Sequence, residues 1–204
     1  VLAEAGVISV QRGSQGASVI SDYVPGELVR SRSDLRLDEV AGVLEARRMF
    51  EPRVAQLAAL NAREDDYARL QQIIDAQQAI LAAGDVLAQE DRFLALDTQF
   101  HLRIARATGN STIVSMMRML LRRLEIARDL AMHEPPTAPW VIDIHERTLQ
   151  AIRAADYALI EVVMDEHVGA MERAWERARG SLLVRPIPDF LQPVAARARR
   201  AAAP

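Results

Sequence analysis

Apolar residues that recur every three or four positions, in six stretches separated by Gly and Pro, constrain this chain more than any other feature. Val40, Val43, Leu44, Arg47, Phe50, Val54 and Leu57 return to one side of an α-helix, whereas a half-buried strand would alternate. Asp38 sets the start of this helix, which reads to about Asn61 with Pro52 as a slight kink. The same periodicity predicts helices over about Glu64–Ala83, closed by Gly84, and about Val86–Thr108, stopped by Gly109-Asn110. Further helices are expected over about Ser111–Met132, Val141–Ala154 and Asp156–Arg179, with the three prolines of His133–Pro139 marking a loop. Aromatic residues make up only 4% of the chain, so Ala, Leu, Val, Ile and Met must fill the core. Short connections between so many helices imply an all-α antiparallel bundle of six or more helices.

The first two dozen residues follow another pattern. Val1–Ala5 reads as the end of a helix closed by Gly6. Val7–Gln11 and Ala17–Ser21 are β-like runs joined by the turn-rich Arg12-Gly13-Ser14-Gln15-Gly16. Such a hairpin has too little core to fold alone. The chain lacks an initiator Met and opens in mid-helix, which points to a truncated or processed N-terminus. The expected organisation is therefore an N-terminal fragment over 1–24, a linker over 25–37, a helical domain over 38–180 and a flexible, proline-containing tail over 181–204.

Bulk chemistry excludes several classes of protein. There is no cysteine, hence no disulfide and no thiolate metal site. No apolar run reaches the roughly 18 residues of a membrane span and no signal peptide is visible, so a soluble, cytoplasmic protein without membrane partners is expected. The formal charge of −3 gives no overall nucleic-acid footprint. All 25 basic residues are Arg, as a GC-rich genome would produce.

Four polar residues fall on the apolar stripes. Asp97 and His101, four apart, share a face with Phe93, Phe100 and Ile104. His145 lies among Val141, Leu149 and Ile152, and His167 among Val163, Met164, Ala170 and Met171. A lone histidine on such a face is ordinarily a core residue with its own partners, and an Asp–His pair four apart is common on helix surfaces. Three buried imidazoles beside a buried carboxylate all need polar partners, and one divalent cation would satisfy all four. His and carboxylate donors suit zinc, nickel, manganese or iron and do not choose among them. Four protein ligands fill a tetrahedral ion but leave an octahedral one open positions. His133, in the proline loop, reads as an exposed residue. Ferritin-like bundles are set aside because paired Glu-x-x-His motifs are missing.

These residues resemble a known family. Glu45-Ala46-Arg47-Arg48-Met49-Phe50-Glu51-Pro52 with Ala58-Ala59 resembles the first helix of the FCD domain, the ligand-sensing C-terminal domain of FadR-type GntR regulators. Asp97-Thr98-Gln99-Phe100-His101 and Thr108-Gly109-Asn110 look like its first metal motif. His145 with Ala151-Ile152 and Asp156, then Met164 and His167, resembles the second. The likeness spans roughly 38–179. Leu2 to Ile8 and Gly13 to Val19 look like the last turn of a recognition helix and the wing of a winged helix-turn-helix. The start of that helix, which would touch base edges, is absent, so the DNA-contacting residues are unknown and this stretch alone is not expected to bind an operator specifically.

The resemblance implies a metabolite-responsive, DNA-binding transcription regulator, not an enzyme, acting as a homodimer on operator DNA. It makes Asp97, His101, His145 and His167 the metal ligands. Arg47 would pair with a small organic-acid effector; the alternative is an internal ion pair with an Asp or Glu. Asn110 either approaches the effector or caps a helix. Arg122 and Arg123 read as surface or dimer-contact residues. Two rival functions remain at this point. One is an all-helical metalloenzyme acting on a small carboxylate, for which no base is placed beside the ligands, since Glu146 and Glu166 face elsewhere. The other is a structural, metal-bound dimerisation module.

Overall fold

The computed structural model describes residues 8–10, 18–20, 37–84, 86–124, 137–179 and 192. Expectations for the recognition-helix remnant, the linker, His133 and the tail fall outside these residues, Gln192 excepted. The chain divides into two compact units, Val1–Leu37 and Asp38–Pro204. In the first, strands β1 (Ile8–Val10) and β2 (Ser18–Ile20) pair antiparallel, with Ile8 opposite Ile20 and Val10 opposite Ser18.

In the second unit, all regular elements among the described residues are helices. It contains α1 (Leu37–Asn61), α2 (Glu64–Ala82), α3 (Glu90–Ala107), α4 (Ser111–Arg123), α5 (Thr137–Arg153) and α6 (Tyr157–Arg179). Helix α2 packs against α3 and α5, α5 against α6, and α3 against α4. A single core runs from Val54 and Ala58 of α1 through Ile74, Phe93, Phe100 and Ile104 to Ile152, Ile160 and Met164. Burying an aromatic or aliphatic side chain of this size contributes about 1.5–3 kcal/mol. That places the main stabilisation on the same stripes that carry the polar residues.

The helix ends follow local chemistry, and two differ from expectation. Helix α3 begins at Glu90 and not near Val86. Gly84, at φ +70°, ends α2 in the left-handed region, and the acidic Glu90 and Asp91 form the first turn of α3, where the helix dipole favours negative charge. Helix α5 begins at Thr137, four residues before the expected Val141. Pro139 lies in its first turn, where an imino nitrogen forfeits no hydrogen bond. Asp156 caps α6 through Oδ1, which accepts from Leu159 N–H at 2.9 Å. Helix α1 continues through Pro52. The described part of α4 ends at Arg123; the rest of its expected span lies outside the described residues from 125 onward.

Ion pairs join the helices at their surfaces. Arg48 of α1 holds Asp165 at 3.1 Å and Glu172 at 2.7 Å on α6, and Arg53 holds Glu161 at 2.7 Å. Arg103 of α3 reaches Asp66 of α2 at 2.6 Å.

Candidate metal centre

Four expected ligands converge. Asp97 and His101 from α3, His145 from α5 and His167 from α6 each offer an atom to a group whose members all lie within 4.8 Å of one another. All four residues are buried. They arrive together because each sits on the apolar stripe of its helix, and packing the stripes brings the polar positions to one level of the bundle. The imidazole rings surround a common point, at 4.8 Å for His101–His167, 5.0 Å for His145–His167 and 6.0 Å for His101–His145.

The donor set fits a divalent ion. With metal–ligand bonds of about 2.1 Å, two donors on one ion lie at most about 4.2 Å apart. The widest separation must therefore contract by about half an ångström for a trans pair in an octahedron, or by about 1.4 Å for a tetrahedral ion, whose donors lie about 3.4 Å apart. Chemistry agrees with geometry, because His167 Nδ1 is buried without a hydrogen-bond partner among the described residues, a costly state for a polar atom. Burial first, then the neighbouring His101 and His145, push the His167 pKa well below its ordinary value. The neutral imidazole is the form that ligates metals.

Two residues not assigned a role from the sequence orient these ligands. Gln77 of α2, fully buried, places Oε1 at 2.9 Å from His145 Nδ1. When Nδ1–H donates to that oxygen, Nε2 keeps its lone pair, and it lies 3.3 Å from Asp97 Oδ1. Phe100 stacks on the same ring at 3.9 Å between centroids and 17° between planes. Glu51 of α1 stands on the other side, its Oε2 at 2.7 Å from His101 Nδ1, while His101 Nε2 lies 3.7 Å from Asp97 Oδ1. Carboxylate and amide partners of this kind fix the tautomer and aim of metal-binding histidines. Burial works against charge on His101, but Glu51 and Asp97 outweigh it and hold the His101 pKa above its ordinary value. Burial likewise works against charge on Glu51, yet Arg47 and His101 carry its pKa far below the usual carboxylate range.

Both omissions have a sequence signal. Glu51 follows Arg47 by four residues on the inward side of α1, and Gln77 lies on the stripe of Leu70, Ile74 and Ile80. A polar residue on an apolar stripe is the cue that identified the histidines.

Arg47 is buried at 1% exposure and is engaged on every nitrogen. Nε pairs with Glu51 Oε1, the internal ion pair given above as the alternative for this residue. Nη1 lies 3.7 Å from Met171 Sδ and Nη2 3.4 Å from His101 Nε2. Asn110 is exposed and caps α4, its Oδ1 accepting from Thr112 N–H at 2.9 Å and Ile113 N–H at 3.3 Å. Arg122 and Arg123 are exposed. Glu166 is held by Arg147 at 2.7 Å and Glu146 accepts from Gln78, so both carboxylates are committed to partners outside the cluster.

Comparison with known proteins gives a consistent picture. Residues 42–170, more than half the chain, match the FCD domain. The Uxu operon transcriptional regulator of Escherichia coli K12 is 32% identical over 116 residues, covering 55% of this chain and 42% of that protein. The HTH-type transcriptional regulator LutR of Bacillus subtilis 168 is 27% identical over 143 residues, covering 68% of this chain and 63% of that protein. The chain thus spans less than two thirds of the length of these curated relatives, both named as transcriptional regulators. Among solved structures, Streptococcus agalactiae GntR superposes with a TM-score of 0.58 at 22% identity, covering 85% of this chain and 77% of that one. E. coli McbR/YncC gives 0.57 at 17% identity, covering 87% and 76%. At these identities the likeness is one of fold.

Proposed function

The chain belongs to the FCD-domain family, and from that premise we propose that it is the sensing part of a GntR-type, FadR-subfamily transcription regulator that holds a divalent metal and a small organic acid. Asp97, His101, His145 and His167 are the metal ligands in this reading, with zinc the first choice and nickel, manganese or iron the alternatives. The carrying observation is the convergence of four buried ligands from three helices, backed by Glu51 and Gln77. A purely structural use of three histidines would leave His167 Nδ1 without a partner.

The ion would supply a fixed positive charge for an anionic ligand. Arg47 borders the same site and offers a second charge of the correct sign, with planar donors suited to a carboxylate. Asn110 is exposed and occupied as the N-cap of α4, which favours the cap reading over an effector contact. Binding shifts the bundle between arrangements only to the extent that the acid prefers one of them. Residues 1–24 are assigned to the end of a recognition helix and the wing, 25–37 to a linker, 38–180 to the sensor and 181–204 to a tail. The full-length homodimer would bind operator DNA in the cytoplasm. Among the described residues no helix is long and apolar enough to cross a membrane.

Native mass spectrometry with elemental analysis tests the reading. The expected result is one divalent ion per chain, lost in His101→Ala together with any acid that co-purifies. A chain that carries no metal after growth in metal-replete medium, and takes up none on addition, refutes it.

A further inference from the structure

The position of Arg47 suggests a role beyond recognition of an acid. His101 has two ring nitrogens, and Nδ1 faces the Glu51 carboxylate, 2.7 Å from Oε2 in an ion-pair contact. Nε2 is therefore the atom left to face Asp97 and the other histidines. Arg47 Nη2 stands 3.4 Å from that same Nε2. If Nε2 carries a lone pair, the guanidinium donates into it; if Nε2 carries a proton, two cations face each other. In both cases a permanent positive charge is set against the atom that a metal would need.

The guanidinium is held there deliberately. Glu51 anchors Nε through Oε1 and turns its other oxygen to His101, so one carboxylate fixes both the arginine and the ring it touches. Met171 Sδ, the partner of Nη1 at 3.7 Å, is a weak acceptor that holds it loosely. Arg47 is thus firmly attached at Nε and easily displaced at its outer nitrogens.

We propose that Arg47 is a built-in surrogate cation that competes with the divalent metal for His101 Nε2, so that metal loading releases its outer N–H groups for an anionic ligand. The inference rests on the metal reading above and adds an order to it, with metal first and acid second. It also predicts an unusual sign, because removing a residue at the edge of the site should strengthen metal binding.

Cobalt(II) is the probe, titrated into chelator-stripped protein and followed by its visible absorption, with a competing chelator to fix the affinity. Arg47→Met should bind Co²⁺ at least tenfold more tightly than the wild type. Because this variant leaves Glu51 uncompensated, the same comparison is made in a Glu51→Gln background. There, Arg47→Gln should again tighten binding relative to Glu51→Gln alone, and the neutral pair also serves if Arg47→Met does not fold. Equal or weaker Co²⁺ affinity on removing Arg47 in both backgrounds, with the wild type binding normally, overturns the inference and leaves the metal reading intact. No Co²⁺ binding by the wild type or any variant overturns both.

Discussion

Replacing Glu51 by leucine should destabilise the metal-free protein more than any single substitution at its surface. Glu51 and Arg47 are each 1% exposed, so the substitution leaves a guanidinium inside the bundle facing only a thioether and an imidazole. Removing one partner of a buried ion pair costs about 3–5 kcal/mol, most of it the penalty of the uncompensated charge. At roughly 2–4 °C per kcal/mol for a domain of this size, the midpoint of thermal unfolding should fall by about 6–20 °C. Two controls locate the cause. Arg47→Met with Glu51→Leu removes both charges and should recover most of the loss, since apolar replacement of a buried pair is often neutral. Arg153→Ala breaks the pair with Glu64 at 3.0 Å, whose side chains are 61% and 79% exposed, and should cost under about 1 kcal/mol. Urea unfolding in the presence of chelator, followed by circular dichroism, measures all three. A loss of less than about 1 kcal/mol in Glu51→Leu, or a double variant no better than the single one, would refute the reasoning about burial.

Three other outcomes follow. Ala155 ends α5 at φ +49°, with Asp156 N–H reaching back to Ala151 C=O at 3.2 Å, so Ala155→Gly should stabilise by about 0.5–1 kcal/mol as left-handed strain is relieved against a looser unfolded chain; a destabilised variant contradicts this. Under the metal reading, Gln77→Leu should weaken metal binding about 10–100-fold while the helical spectrum is unchanged, and an unaltered affinity removes Gln77 from the ligand-orienting role. The metal-free protein should be most stable near pH 6.5, because two histidines work in opposite senses around that ordinary value. His101, with its pKa raised, gives stability that is present below 6.5 and lost as pH rises through its folded value. His167, with its pKa lowered, gives up stability as pH falls below 6.5. Urea midpoints across pH 5–9 check this; a flat alkaline limb that His101→Asn leaves unchanged is the contrary result.

Much of this arrangement is legible in the residues alone. Helix identity and order follow from the 3.6-residue repeat, and the four residues that converge stand out because a polar residue on an apolar stripe is expensive unless something satisfies it. What escaped lies one layer out. Periodicity puts Arg47 on the inward side of α1 but does not single out its partner Glu51, one turn further on, or Gln77, on a helix with no histidine. Spacing identifies which residues face inward; it does not identify which neighbouring helix they meet, and the Gln77–His145 pairing joins positions 68 apart. The starts of α3 and α5 differ from the periodicity for a related reason. Apolar periodicity continues through Val86 and Leu87, where Gly84 and the acidic first turn at Glu90 decide the boundary, and Pro139, a breaker inside a helix, occupies the one turn that tolerates it.

Glu51 and Arg47 lie on the longest helix described, α1, whose first residue, Leu37, is the last residue of the first compact unit. Fourteen residues of helix separate Leu37 from Glu51, a rigid arm of about 21 Å at 1.5 Å per residue. A tilt of only about 5° pivoting at Glu51 would carry the far end of such an arm through nearly 2 Å. A small tilt at Glu51 is thus magnified with distance along α1.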